Sequence, residues 1–457
     1  MSKQFEDQGG MASMNPPAIG RFLTSLMMRR MTSSSRLLKK REQIERKRRK
    51  SGLRHKVEYF HQVDDGYSHL AAQLLQRLHE RYDIDLVCHL STVRGEGNLP
   101  EPELLVDLSR HDAQSVAPYY GLTFPENTGA PEPQHVETGS RILAAAAPQQ
   151  FAQVAVAVGD AVFAGDLAAL EALGERHGML SLEETKAKIA QGNARRDALK
   201  HYSTAMFYCG DEWYWGADRI YHLEKRLIEQ GACRDNEAAL ICPRPPIEAG
   251  PLKDNGTLTL EFYPSLRSPY TSFIFDETVR FAESVGVKLA MRPVLPMVMR
   301  GVSLTMQKGI YITMDSGREA HALGIEWGKA YDPIGDPVRN GYSLYPWARE
   351  QGKGNQLLSA FLHAAFFDGV NTDNDKGMKT VVENAGLSWA EAQKIMGNQD
   401  WEEEIEANRL AMYDVGLWGV PSYRLLDAQG NTVLALWGQD RLWLFAKEIQ
   451  RLLRKDQ

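Results

Sequence analysis

The sequence predicts an α/β protein of two domains built on one plan. Three observations carry this. At 457 residues the chain is longer than a single hydrophobic core supports. Each half opens with a strand, a helix and a second strand within about 35 residues, the spacing of a parallel βαβ unit. Each half closes with a hairpin and a helix, joined by one pattern: Trp215-Gly216-Ala217-Asp218-Arg219 and Trp437-Gly438-Gln439-Asp440-Arg441. Helical segments fill the middle of both halves, and the repeat reads as an internal duplication.

Composition narrows the function classes. The chain is 43% hydrophobic and 25% charged, ordinary for a soluble globular protein. A net charge of −6 and a pI near 6.1 give the molecule as a whole no nucleic-acid footprint. Cys88, Cys209, Cys233 and Cys242 lie far apart with no Cys-x-x-Cys, so neither a disulfide framework nor a zinc ribbon is expected. No apolar run approaches the length of a membrane span. Phe22 to Met28 is too short for a signal peptide, and a cytoplasmic location is the expectation.

Residues 1–54 are expected to form a flexible extension outside the fold. Met1 to Pro17 is polar and rich in Gly and Met, and is expected to be disordered. Arg29 to Lys50 ends in KKREQIERKRRK. That run is a solvated helix or tail, or a basic arm that touches nucleic acid, an anionic membrane or an acidic partner.

The first domain, residues 55–232, starts with the strand VEYFHQ from Val57. A turn at Asp64-Asp65-Gly66 leads to a helix from Tyr67 to Tyr82, with Leu70, Leu74, Leu75 and Leu78 on one face. Ile84 to Leu90 is the second strand. Helices follow to Leu199, then a hairpin around Cys209-Gly210-Asp211 and a closing helix, Asp218 to Gln230. CPRPPIEAGP, within residues 233–256, is a stiff linker.

The second domain, residues 257–457, repeats the order. Leu258 to Tyr263 alternates as a strand and breaks at Pro264 to Pro269. A helix runs from Tyr270 to Val285, a strand from Val287 to Pro293, and a helical block from Tyr311 to Leu417. A hairpin around Asp427-Ala428-Gln429-Gly430 and a helix from Arg441 to Leu453 close the chain. Tyr67 is expected to mirror Tyr270, and Asp107 and Arg110 to mirror Asp315 and Arg318.

Four features of the second half point to chemistry. Ser268 sits where the chain turns into a helix, whose unpaired N–H groups and dipole favour an anion. Val420-Pro421 opens a hairpin strand and is a candidate cis bond, which would leave the Val420 main chain free for a peptide-like ligand. Gln439-Asp440-Arg441 precedes the last helix, with Asp440 placed as a cap or as the acceptor for a ligand ammonium. Lys308 is placed to meet a carboxylate. Each also has a plainer reading, as a cap, a structural proline or a surface lysine; the combination in order is what points to a site.

This combination resembles the DsbA-like thioredoxin-fold family. Within it the chain is similar to the branch of 2-hydroxychromene-2-carboxylate isomerase and kappa-class glutathione transferase. The resembling stretches are FYPSLRSPYT, Arg292-Pro293-Val294-Leu295, KGIYITMD, AFFDGVNTDN, Gly419-Val420-Pro421 and WGQDRL. The resemblance implies two thioredoxin-like domains, each with a large helical insertion. It implies bound glutathione, with Ser268 stabilising its thiolate and Val420 beside cis Pro421 pairing with the cysteinyl part. Gln439 and Asp440 would hold the γ-glutamyl end, and Lys308 a carboxylate. It implies a glutathione-dependent isomerase or transferase acting on a small electrophilic or aromatic-derived substrate.

The chain departs from that pattern in places. The loop between Arg300 and Lys308 is short. Arg267 is unusual and is expected either to steer an anion or to be exposed. The first half has Asp65-Gly66 in place of Ser268-Pro269 and is expected to have Ser203-Thr204 in place of Val420-Pro421, so it reads as a degenerate copy. Two other functions compete: a redox-inactive module that binds a peptide or protein, and a thiol oxidoreductase, which the missing Cys at the turn disfavours.

Overall fold

The computed structural model describes residues 15–95, 101–126, 129–235, 239–302 and 304–455. The expected disorder of Met1 to Pro17 therefore lies, as far as Met14, outside the described residues. Two helices come first: α1, Ala18–Met31, and α2, Ser34–Lys50. The chain then divides into two compact units, one of residues 39–245 and one of residues 246–457 together with residues 1–38.

The first unit holds β1 (His55–His61), α3 (Gly66–Arg81), β2 (Ile84–Leu90), α4 (Pro102–Val116), α5 (Pro133–Ala145), α6 (Phe151–Ala164), α7 (Leu167–His177), α8 (Leu182–Ala198), β3 (Met206–Cys209), β4 (Glu212–Trp215) and α9 (Gly216–Glu229). The second holds β5 (Thr259–Tyr263), α10 (Pro269–Val285), β6 (Lys288–Met291), α11 (Met306–Ala322), α12 (Asp336–Glu350), α13 (Gly354–His363), α14 (Asp375–Asn384), α15 (Trp389–Ile395), α16 (Glu402–Tyr413), β7 (Ser422–Leu426), β8 (Thr432–Trp437) and α17 (Leu442–Lys455).

Both sheets have four strands in one order, β2-β1-β3-β4 and β6-β5-β7-β8. In each, the first two strands pair parallel through the βαβ crossover and the last two form the hairpin. The central strands are buried on both faces: Val57, Tyr59 and Phe60 in one, Leu260, Phe262 and Tyr263 in the other, none exposed at all. Buried glutamates occupy matching positions of the two central strands, with arginine partners from different elements. Buried Glu58 pairs with Arg195 at 2.6 Å, and buried Glu261 with Arg292 at 2.7 Å.

The N-terminal region differs from expectation. Helix α1 is part of the second unit, not an extension outside it. Its Arg21 is wholly buried, donating to the carbonyls of Asp332 (3.0 Å) and Ile334, and it lies 3.3 Å from the Asp373 carboxylate. Ser25 accepts from the Asp332 N–H at 3.0 Å, Arg29 donates to the Ala330 carbonyl at 3.0 Å, and Thr32 to that of Gly328 at 3.2 Å. These polar anchors are scattered among apolar residues and form no apolar stripe that marks the helix as packed. Helix α2 buries no residue, as a solvated helix does.

The repeat also needs one correction. Tyr67 donates to Asp112, and Tyr270 to Asp315, each at 2.8 Å and each across 45 residues. Asp112, not Asp107, is thus the counterpart of Asp315. Asp107 is exposed and, among the described residues, pairs only with its neighbour Arg110, because its helical phase points away from Tyr67.

Candidate functional site

Ser268 forms the N-cap of α10, its hydroxyl accepting from the Thr271 N–H at 3.2 Å. The turn at Pro264 to Pro269 exists because two prolines cannot continue the strand. Pro269 is the first helical residue, where its missing N–H costs nothing. The Ser268 hydroxyl also faces the chain entering β7, 3.4 Å from the carbonyl of Val420. The Val420-Pro421 bond is cis. The Val420 N–H donates to no described residue. The hydroxyl that caps α10 is thus the same one that faces the Val420 main chain.

The loop 418–421 ties the other residues together. The Pro421 carbonyl accepts from the Gly438 N–H at 2.9 Å. Gly438 has φ +124°, and a Cβ there would lie 2.4 Å from the Asp440 carboxylate, so glycine lets Asp440 fold back over the loop. At Gly419 a Cβ would lie 2.5 Å from the Trp437 indole. Trp418 and Trp437 pack with ring centres 5.1 Å apart. Buried Arg300 fixes the loop from below, donating to the carbonyls of Trp418 and Leu295, both at 3.0 Å.

Lys308 lies in the first turn of α11, which begins at Met306, five residues before the expected helical block. It is buried, with its ammonium 5.5 Å from the Trp418 ring centre. Burial lowers its pKa to about 8. A cation at the positive end of a helix dipole, already stripped of water, favours an incoming anion.

Of the six expected site residues, Ser268, Lys308, Val420, Pro421 and Asp440 gather around this loop. Gln439 differs: its side chain is buried and donates to Glu319 on α11 at 2.8 Å. It braces the loop from inside and does not present its amide outward. Arg267 differs too. It is neither exposed nor available for steering, because it makes a two-pronged pair with Asp332 at 2.7 and 2.9 Å. Asp332 is also the residue that Arg21 and Ser25 engage, so α1 buttresses the turn carrying Ser268. Sequence reading missed Arg300, Glu319, Asp332 and Trp418, whose partners are remote in sequence. A polar cleft of about 400 Å³ elsewhere, lined by Asp276, Ser359 and His363 among others, includes none of the expected residues.

The family comparison agrees with a helix N-cap that faces a cis proline at the start of an inner strand of a βαβ-hairpin sheet. The profile of the DSBA-like thioredoxin domain matches residues 259–450. The match spans almost the whole of the second half. Among solved structures, the chain is similar to 2-hydroxychromene-2-carboxylate isomerase, at 17% identity and a TM-score of 0.37, covering 43% of this chain and 97% of that one. It is also similar to a protein described as a probable DsbA oxidoreductase from Streptomyces coelicolor, at 18% identity and a TM-score of 0.34, covering 42% and 90%. No curated protein sequence matches the chain.

The first half places different residues at the corresponding positions. Asp65 takes the place of Ser268 as N-cap, accepting from the N–H groups of Tyr67 (3.3 Å) and Ser68 (3.1 Å). Burial pushes its carboxyl up to about 6. The equivalent of Pro421 is Ala205, since its carbonyl accepts from Gly216 at 2.7 Å, as Pro421 does from Gly438. The counterpart of Val420-Pro421 is thus Thr204-Ala205, not Ser203-Thr204. Ala205 has φ +55°, a left-handed conformation that proline's ring forbids.

Proposed function

We propose that the second domain is a glutathione-dependent isomerase or transferase. One observation carries the reading: a serine hydroxyl, with no cysteine anywhere in residues 246–457, faces the main chain beside cis Pro421 at 3.4 Å. Glutathione would supply the thiolate that this turn lacks. Ser268 and the α10 N-terminus would hold its sulfur, the Val420 main chain its cysteinyl amide, Asp440 its γ-glutamyl ammonium and Lys308 a carboxylate. Those four fit it by chemical type. Gln439 does not, being committed to Glu319. The substrate is then a small electrophile able to accept a thiolate.

Titration calorimetry tests this, comparing glutathione with S-methylglutathione. Wild type should prefer the free thiol. Ser268→Ala should lose that preference, and Asp440→Ala should weaken both ligands about tenfold or more, the scale of a lost charge-assisted hydrogen bond. Unchanged isotherms in both variants refute the reading.

A second reading, a redox-inactive binding module, is favoured by Asp65 and Ala205 in the first half, which remove the thiolate site there. It requires partner capture that depends on residues 29–50 with no glutathione affinity. The thiol oxidoreductase reading has no cysteine at the Ser268 turn, and burial raises the thiols of Cys88, to about 12, and of Cys209 and Cys242. Measurable insulin reduction would restore it.

A further inference from the structure

Helix α1 is amphipathic in an inverted sense. One face, Arg21, Ser25, Met28 and then Thr32, is buried on the second unit. The opposite face carries Ile19, Phe22, Leu23, Leu26 and Met27, spaced as one helical stripe. These are 72%, 55%, 58%, 54% and 49% exposed. Five large apolar side chains on one exposed helix face are not the scattered apolar residues of an ordinary surface. The polar anchors already described hold the helix with this face outward, so the stripe cannot turn inward without breaking them.

The charge around the stripe indicates what covers it. Helix α1 contains no acidic residue and ends in exposed Arg29 and Arg30. Helix α2 follows after two residues and carries nine Lys and Arg against two Glu, a net of +7 in a chain whose total is −6. Some of these bases are engaged: Lys40 with Asp211, Arg41 with Glu212, and Arg48 and Arg49 with Glu45. Arg36, Lys39, Arg46, Lys47 and Lys50 are exposed and pair with no described acid. An apolar stripe followed directly by a dense basic run is the chemistry of a segment that lies on an anionic lipid surface, aliphatic and aromatic groups among the acyl chains and bases against the headgroups. No described helix is long and apolar enough to cross a membrane, so the contact would lie on the surface.

We propose that α1 and α2 dock the protein on anionic membrane surfaces, with Phe22, Leu23 and Leu26 inserted at the interface. The apolar stripe distinguishes this from attraction to any polyanion, which would need only the bases.

Co-sedimentation of the full chain with vesicles tests it, using phosphatidylcholine alone and phosphatidylcholine mixed with phosphatidylglycerol. The wild type should partition at least about tenfold better onto the anionic vesicles, and added salt should weaken it. Phe22→Ser combined with Leu23→Ser and Leu26→Ser should lower that partition about tenfold, with an unchanged melting temperature because the residues are exposed. Arg46→Glu with Lys47→Glu should remove most of the preference for anionic lipid. Equal partition onto both vesicles, or a triple variant that binds like wild type, overturns the proposal. So does sedimentation velocity showing a dimer that the triple variant dissolves, in the absence of vesicle binding. Retention on single-stranded nucleic acid without vesicle binding overturns it as well.

Discussion

Replacing Lys308 with Met should stabilise the protein near neutral pH while weakening any anionic ligand. The Lys308 pKa falls from an ordinary 10.5 to about 8 because the ammonium is desolvated. At about 1.4 kcal/mol per tenfold change, that is a penalty of about 3 kcal/mol on the charged form. Methionine would forfeit the attraction to the Trp418 ring, about 1 kcal/mol, leaving a gain of about 2 kcal/mol. For a unit of this size that corresponds to a rise of about 4 to 8 °C in Tm. The pH dependence has a definite sign. The folded state binds this proton more weakly than the unfolded state, so the penalty is complete below about pH 8 and fades as pH rises toward 10.5. Wild type should therefore gain on Lys308→Met as the solution is made alkaline, and the gap between their melting temperatures should close. Calorimetric melts of both proteins from about pH 7 to about pH 10 measure this, other titrating groups cancelling in the difference. A gap that stays constant across the range, or has the opposite sign at neutral pH, refutes the assignment of Lys308 as a buried, desolvated cation.

Two further outcomes follow from the same geometry. Ser268→Cys should produce a thiol that alkylates with a pKa below the ordinary value of about 8.5, because it caps α10; iodoacetamide rates against pH measure it, and titration at or above that value would show that this helix terminus does not favour an anion. Arg21→Ala should cost about 3 kcal/mol by stripping a buried cation from Asp373 and two carbonyls; limited proteolysis should then cut at Arg29 or Arg30, and a protein as resistant as wild type would mean that α1 is held by other contacts.

The parts of this molecule that were legible in the sequence are those governed by short-range rules. Period-2 and period-3.6 patterns located the strands and the main helices. Ser268 and Val420-Pro421 declared themselves through local turn chemistry, and the five-residue pattern after each hairpin marked the repeat. What stayed hidden depends on contacts across long sequence separations. Arg300 reaches Trp418, Gln439 reaches Glu319, and Arg267 shares Asp332 with Arg21, and nothing within a few residues of any of them signals the partner. The repeat was misaligned for the same reason. Asp107 and Asp112 are equally plausible by type, and only the hydrogen bond from Tyr67 separates them.

These hidden contacts share a physical consequence. The Ser268 turn is held from one side by Arg267 and Asp332, and the Val420 loop from another by Arg300 and Trp418. The two segments are therefore fixed by separate anchors. The 3.4 Å between the Ser268 hydroxyl and the Val420 carbonyl is too long for a strong bond, so it does not itself hold the segments together. A ligand sulfur that took over the Ser268 hydroxyl would displace only that weak contact. In the first half the matching cap is a carboxylate that accepts from two main-chain N–H groups and the Ser68 hydroxyl, leaving little capacity for a ligand. The two caps thus differ in how much of their hydrogen bonding is already spent within the protein.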